Sequence, residues 1–223
     1  INGEYRMTSS MSYEDIAKKL QNPDISHKSV SVCIPEGYTV FDIAETMEKN
    51  NICKKSDFLD ACKNKNDYDC EFLNDAYMSE NVAYQLEGFL FPATYDLAEN
   101  SKASDVVATM LETFDGKITD KWKSYCDENG MSLYELVTLA SIVEKEVSNE
   151  EDKAKVAGVF LKRLQIGMRL ESDATIKYAL GRPATKEELK SSMSPFNSYR
   201  VTGLPPTPIG SPALSTFKAV MKP

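Results

Sequence analysis

Two glutamates, Glu144 and Glu146, follow an apolar stretch in Ala140-Ser-Ile-Val-Glu-Lys-Glu-Val147. Wound as a helix at about 100° per residue, Glu146 falls below Leu139, Ile142 and Val143, and Glu144 below Val137, Ala140 and Ser141. Either carboxylate can emerge from a buried surface into a cleft. Loss of water there disfavours the charged form and raises the pKa, as a general acid requires. The plainer alternative is that both are exposed charges where a core helix meets solvent, with Lys145 between them in ordinary surface ion pairs. Periodicity does not choose between the two glutamates.

Further polar clusters sit in segments with irregular patterning. Met168-Arg-Leu-Glu-Ser-Asp-Ala-Thr175 follows a helix stop at Gly167, and Ser194-Pro-Phe-Asn-Ser-Tyr-Arg200 leads into Thr202-Gly-Leu-Pro-Pro-Thr-Pro-Ile209. The prolines Pro205, Pro206 and Pro208 stiffen that last segment into an extended strap suited to lining a groove. Aromatic rings beside Asn and Arg suit a sugar, whose apolar faces they cover while amides bond its hydroxyls. Structured loops with capping residues are the alternative for each cluster.

Composition narrows the chemistry. The chain has 223 residues, 42% of them apolar and 27% charged, the mix of a protein that buries a core. Net charge is −8 and Lys and Arg form no run that could track phosphates, so nucleic acid is disfavoured as a partner. The one histidine, His27, follows Asp24-Ile-Ser26 in a polar stretch and reads as a solvated loop residue. Catalysis through Ser-His-Asp or Cys-His, or through a metal held by two imidazoles, has almost nothing to work with. Carboxylates, hydroxyls and lysine remain. Cys33, Cys53, Cys62, Cys70 and Cys126 contain no C-x-x-C pair and signal neither a zinc site nor a disulfide framework, although an oxidising compartment could join Cys62 to Cys70. No stretch approaches the length of about 20 apolar residues that spans a bilayer.

The elements that must hold these residues follow from caps and periodicity. Ser12-x-x-Asp15 opens a short amphipathic helix through Ile16 and Leu20. Lys28 to Ile34 alternates as a strand, Pro35-Glu-Gly37 turns, and Thr39 caps a helix with Ile43, Ala44 and Met47 inward. Ser56 begins a further helix facing inward with Phe58, Leu59 and Cys62, and together these suggest a compact βααβ-like module. In Leu86-Glu-Gly-Phe-Leu-Phe-Pro-Ala-Thr-Tyr95, Gly88 and Pro92 argue against a regular helix or central strand. A helix is predicted from about Ala103 to Phe114. Ser132-Leu-Tyr-Glu135 is a capping box opening a helix to about Val147 that is apolar nearly all round, and so belongs mid-domain. A helix from about Glu150 to Ile166 is expected to bury Val156, Val159, Phe160 and Leu164. Thr185-x-x-Glu188 is another capping box, and Ser211-Pro212 is expected to cap the last helix with proline at its first position.

At these segments the chain resembles the YceG-like (MltG) family of endolytic murein transglycosylases. Leu139-Ala-Ser-Ile-Val-Glu-Lys-Glu146, Val159 to Leu170, Asp173-Ala-Thr175, Asn197-Ser-Tyr199, Gly203 to Ile209 and Glu87 to Tyr95 carry the resemblance to the catalytic part. Pro35-Glu-Gly-Tyr-Thr39 carries it to a preceding LysM-like module. The resemblance implies an α+β fold in two parts: a LysM-like module over roughly 1–80, its first part truncated, and a mixed α/β lysozyme-like catalytic domain over roughly 81–223, its usual aromatic and His-bearing tail missing.

By the same resemblance, the substrate is the peptidoglycan glycan strand, cut within its length at the β-1,4 bond between N-acetylmuramic acid and N-acetylglucosamine to leave a 1,6-anhydro end. One carboxylic acid protonates the glycosidic oxygen and then, as carboxylate, takes the proton of the sugar's own 6-hydroxyl. A single glutamate suffices, unlike the carboxylate pair of ordinary glycosidases. By position that glutamate is Glu146, with Glu144 the runner-up. Glu151, Asp173, Thr175, Asn197 and Tyr199 are expected to line the groove: Asn197 to bond an N-acetyl group, Thr175 or Tyr199 to steady the glutamate. No cofactor or metal is required. The partners implied are glycan strands and cell-wall synthases of the penicillin-binding type. The place is the extracytoplasmic face of the bacterial cytoplasmic membrane, held by an N-terminal transmembrane helix outside this sequence. The competing reading is a non-catalytic peptidoglycan-binding scaffold for those synthases, and within enzymes a hydrolase leaving a reducing end.

Overall fold

The structure is a computed structural model that describes residues 11–21, 29–73 and 82–223. His27 and its polar loop lie outside the described residues. Ten α-helices and two strands follow in the described chain: α1 (Tyr13–Gln21), β1 (Ser29–Cys33), α2 (Val40–Lys49), α3 (Lys55–Ala61), β2 (Thr94–Ala98), α4 (Ala103–Asp115), α5 (Asp120–Asn129), α6 (Leu133–Glu146), α7 (Glu150–Gln165), α8 (Asp173–Leu180), α9 (Lys186–Ser191) and α10 (Leu214–Val220).

The expected βααβ order is present as β1-α2-α3-β2, but its closing strand lies past residue 80. β1 and β2 pair antiparallel, Ser29 opposite Ala98 and Cys33 opposite Thr94, the one sheet among the described residues. Gly88 and Pro92 hold the preceding segment out of regular structure as predicted. The strand starts just beyond them, where Thr94-Tyr-Asp-Leu-Ala98 alternates, with Tyr95 and Leu97 buried. Thr39 caps α2 through a full capping box with Asp42, the Thr39 hydroxyl accepting from the Asp42 amide at 3.2 Å.

The capping box of α6 forms as well: Ser132 Oγ accepts from the Glu135 amide at 3.1 Å, and Glu135 Oε2 from the Ser132 amide at 2.8 Å. From Leu136 to Val143 every side chain of α6 is buried, because α5, α7, α8 and α10 pack around it. Two of those side chains are polar and need partners inside the core. Thr138 donates to the Tyr134 carbonyl, and Ser141 donates to the Thr138 carbonyl while accepting the Ile209 amide at 3.0 Å. That last bond pins the proline-rich strap to α6, aided by Tyr134 Oη donating to the Pro206 carbonyl at 2.9 Å. Pro205, Thr207, Pro208 and Ile209 are consequently buried; the strap backs α6 and does not line a groove. Phe89, Phe114 and Phe217 continue the core as ring contacts, and Trp122 stacks on Phe217 at 4.2 Å.

Two expectations about helix faces change. Val159 is 52% exposed, because α7 buries the stripe Lys153, Ala157 and Phe160, and Val159 lies off it. Ser211 does not cap α10. The cap position is Ala213, and the Ser211 backbone instead exchanges bonds with the Gly37 and Tyr38 turn, Gly37 N to Ser211 O at 2.7 Å and Ser211 N to Tyr38 O at 2.8 Å. Cys62 and Cys70 are free thiols, and burial holds the Cys62 thiol in its protonated form.

Candidate active site

The two glutamates at the end of α6 have different surroundings. Glu144 is almost fully covered, its side chain 9% exposed. It accepts from Lys153 Nζ at 3.2 Å, from the Ala213 amide at 2.9 Å and from the Thr216 hydroxyl. Its carboxylate thereby caps the start of α10, where free amides favour negative charge. Lys153 is itself buried, and burial opposes its charge. The hydrogen bond it donates to Glu150 and the charge of Glu144 outweigh that, so its pKa rises above the ordinary lysine value. Glu144 is a strut joining α6, α7 and α10.

Glu146, the last residue of α6, is exposed. The partial loss of water expected there is not present in the free protein, since α6 leaves the core one turn before its end. Ser172 Oγ donates to Glu146 Oε2 at 2.8 Å. Ser172 is buried at the start of α8, and Ser198 fixes it from behind: the Ser172 amide donates to Ser198 Oγ at 3.0 Å, and that hydroxyl donates to the Ser172 carbonyl at 3.0 Å. The Glu171 amide also donates to the Ser198 carbonyl. The two polar clusters of the sequence, 168–175 and 194–200, are thus stitched together beside Glu146.

The remaining candidates divide. Asp173 is exposed and accepts from Tyr199 Oη at 2.8 Å. Burial, the Asp173 hydrogen bond and the nearby charges of Asp173, Glu146 and Glu171 push the Tyr199 phenol up to about 12, so it stays a donor. Thr175 is fully buried, its hydroxyl on Ser198 Oγ and the Ser172 carbonyl. It braces the turn and does not line the groove. Asn197 is also fully buried. Its amide nitrogen donates to the Leu189 and Ser192 carbonyls at 3.0 Å each, and its oxygen accepts the Tyr199 amide, which leaves nothing to offer an N-acetyl group. Glu151 is exposed in the first turn of α7, its amide held by Asn149 Oδ1, and among the described residues no hydrogen bond joins it to Glu146.

Beside Tyr199 opens a cavity of about 460 Å³ lined by Arg169, Lys186, Leu189, Lys190, Tyr199 and Arg200. That volume suits a sugar or a peptide fragment. Sequence reasoning passed over Ser172 and Ser198, whose only signal was a serine next to each named motif residue. It also passed over Glu87, a lone acid among apolar neighbours. Glu87 is buried, accepts from the Val40 amide at 3.1 Å and from Tyr178 Oη at 2.9 Å, and so ties the start of α2 to α8. Burial raises its pKa to about 7, with these hydrogen bonds and the Lys145 charge opposing the rise.

This chain matches the model of the YceG-like family over residues 1–223. It belongs to that family. A curated YceG-like relative from Streptococcus pneumoniae, named endolytic murein transglycosylase, is 31% identical over 97% of this chain and 43% of its own length. One of the same name from Bacillus subtilis is 29% identical over 99% of this chain and 63% of its own. The chain therefore spans between about two fifths and two thirds of these relatives. A crystal structure of a yceG-like protein from Listeria monocytogenes superposes with a TM-score of 0.75 at 30% identity, covering 98% of this chain and 75% of that one.

Proposed function

We propose that this YceG-like chain carries the active site of an endolytic peptidoglycan transglycosylase, with Glu146 as its general acid and then base. The observation that carries the reading is the state of the Glu146 carboxylate. One oxygen accepts from Ser172, and the side chain is exposed within electrostatic reach of Tyr199, which lines a cavity of sugar size. Glu144, the alternative, is already committed to Lys153, Ala213 and Thr216. The names of the relatives agree with this reading.

In the proposed reaction, protonated Glu146 gives its proton to the glycosidic oxygen between N-acetylmuramic acid and N-acetylglucosamine. The bond from that oxygen to C1 breaks, and the N-acetylglucosamine leaves as an alcohol. The muramyl 6-hydroxyl adds to C1, and the Glu146 carboxylate takes its proton, which restores the acid. No water is consumed. Ser172 holds one oxygen so that the other faces the bond. Because Glu146 is exposed in the free protein, it is the bound strand itself that excludes solvent from the reacting groups. Tyr199, held by Asp173, forms part of the groove wall.

The β1-α2-α3-β2 unit is the proposed LysM-like part, taking its second strand from 94–98, and the helices around α6 the proposed lysozyme-like part. The proposed setting is the outer side of the cytoplasmic membrane, with an anchor outside this sequence and cell-wall synthases nearby. No helix among the described residues is long and apolar enough to cross a membrane.

Mass spectrometry of digested glycan strands tests the reading. Strands treated with the protein are expected to gain 1,6-anhydro ends, and Glu146→Gln to lower that rate by about 10²–10⁴-fold, the usual contribution of a general acid–base group. A fully active Glu146→Gln variant overturns the assignment. Products heavier by one water identify a hydrolase, and strand binding without any cleavage identifies a scaffold.

A further inference from the structure

The groove beside Tyr199 carries four cations in a chain whose net charge is −8. Lys186 and Lys190 stand one turn apart on α9, Arg169 precedes the Glu171-Ser172 turn, and Arg200 follows Tyr199. Among the described residues none of the four has an ion-pair partner, although acids lie close by. Glu171 pairs with Arg163 at 3.3 Å, and Glu188 with Arg182 at 2.6 Å while also closing the α9 capping box. Asp173 holds Tyr199. Glu187 is the one further acid on α9, and it is exposed. Arg200 donates only to the Lys190 carbonyl, which sets its guanidinium at the end of α9. Positive charge gathered around a cavity without counter-charge is arranged for an anion, and two guanidinium forks suit carboxylates held in pairs.

A glycan whose muramic acids have lost their peptides offers a single carboxylate per disaccharide, on the lactyl group, since hydroxyls and N-acetyl groups are neutral. Where the lactyl group carries a peptide its own carboxylate is spent in the amide, and the stem supplies several carboxylates in its place, a few bonds from the glycosidic link. Resting on the reading of Glu146 as the proton donor, we propose that the Arg169, Lys186, Lys190 and Arg200 groove binds the carboxylates of that stem peptide. It thereby sets which strands are presented to Glu146. Tyr199 joins the two regions, its hydroxyl on Asp173 and its ring in the groove wall.

The test measures binding of soluble strand fragments to the full chain by fluorescence anisotropy. Three ligands are compared: fragments bearing peptide stems, the same fragments with stem carboxylates converted to amides, and fragments stripped of peptide by an amidase, which keep only the lactyl carboxylate. The intact stems are expected to bind on the order of tenfold tighter than either of the others, and the advantage is expected to shrink as salt is raised. Combined Lys186→Glu and Lys190→Glu should bring the ratio to about one, whereas Lys190→Arg should keep it. Equal binding of all three ligands by the unmodified chain overturns the proposal, as does an undiminished ratio in the charge-reversed chain. Stripped strands ending in a polyprenyl pyrophosphate that bind as tightly as intact stems would move the assignment from carboxylate to phosphate and equally overturn it. The amidated ligand needs no variant to fold. Cleavage is scored separately: absence of anhydro ends refutes the role of Glu146, while the binding ratios still decide the groove.

Discussion

Ser172 Oγ lies 2.8 Å from Glu146 Oε2 and is the one side chain that donates to that carboxylate among the described residues. The hydroxyl makes no capping bond to α8, so this contact is its evident work. Ser172→Ala should lower the rate of anhydro-end formation by about 10-fold, in line with a hydrogen bond to a charged group. The melting temperature should move little. An unchanged rate would mean that Ser172 does not position the acid.

Glu144 invites the opposite expectation. Glu144→Gln leaves the buried Lys153 ammonium with Glu150 as its one acid partner and weakens the cap on α10, so a stability loss of about 1–3 kcal/mol is expected from losing hydrogen bonds to a charged group. Urea denaturation gives the number. Replacing both partners, Glu144→Gln with Lys153→Met, should recover part of it, because a buried charge that has lost one of its two partners is then removed. A single variant as stable as the parent would remove the strut.

These two glutamates also mark how far the sequence could be read. Leu133 to Glu146 declared itself through a capping box and an apolar surface, both local signals, and the helix forms as expected. The same signals treat Glu144 and Glu146 alike. What separates them is Lys153 on α7, the Ala213 amide before α10 and Ser172 before α8, none of which adjoins them in the chain. Thr175 and Asn197 drew notice as polar residues in irregular segments, yet their polar atoms are consumed by backbone carbonyls and by Ser198. A polar side chain that shapes a loop looks the same in sequence as one that meets a ligand. β2 escaped notice because its partner strand precedes it by about sixty residues and its own start is masked by Pro92.

Glu87 supplies a pH dependence. Its folded pKa, about 7, lies above the ordinary 4.5, so the folded chain holds a proton that the unfolded chain releases. Its contribution to stability is therefore full below pH 4.5 and falls as pH climbs through 7, by roughly 3 kcal/mol at about 1.4 kcal/mol per pH unit. The groups facing it are Tyr178 on α8, Lys145 on α6, the Val40 amide on α2, and more distantly Tyr134 and Cys62. Glu87→Gln should flatten the stability profile between pH 5 and pH 8, read as melting temperature against pH. A variant retaining the parent slope would assign that slope to another group.

Gly88 is the neighbour of that carboxylate and sits at φ +86. A Cβ there would come within 2.4 Å of Pro208 Cβ and 3.1 Å of Val137 Cγ1, and the proline ring has no rotamer by which to retreat. Gly88→Ala should cost at least about 1–3 kcal/mol from backbone strain alone, with the collision added. Chemical denaturation of the variant is the check, and parent-like stability would mean that the strap yields.

The pairing of β1 with β2 sets a timetable for the growing polypeptide. As the chain leaves the ribosome, Val30 and Val32 have no mate until Tyr95 and Leu97 follow them out. The loop that must close is long, so its entropy cost falls before any reward. Until then the first strand presents bare backbone amides and carbonyls to whatever strand it meets, its own copies included. A fragment stopped short of Thr94 would inherit that condition permanently and be drawn toward self-association.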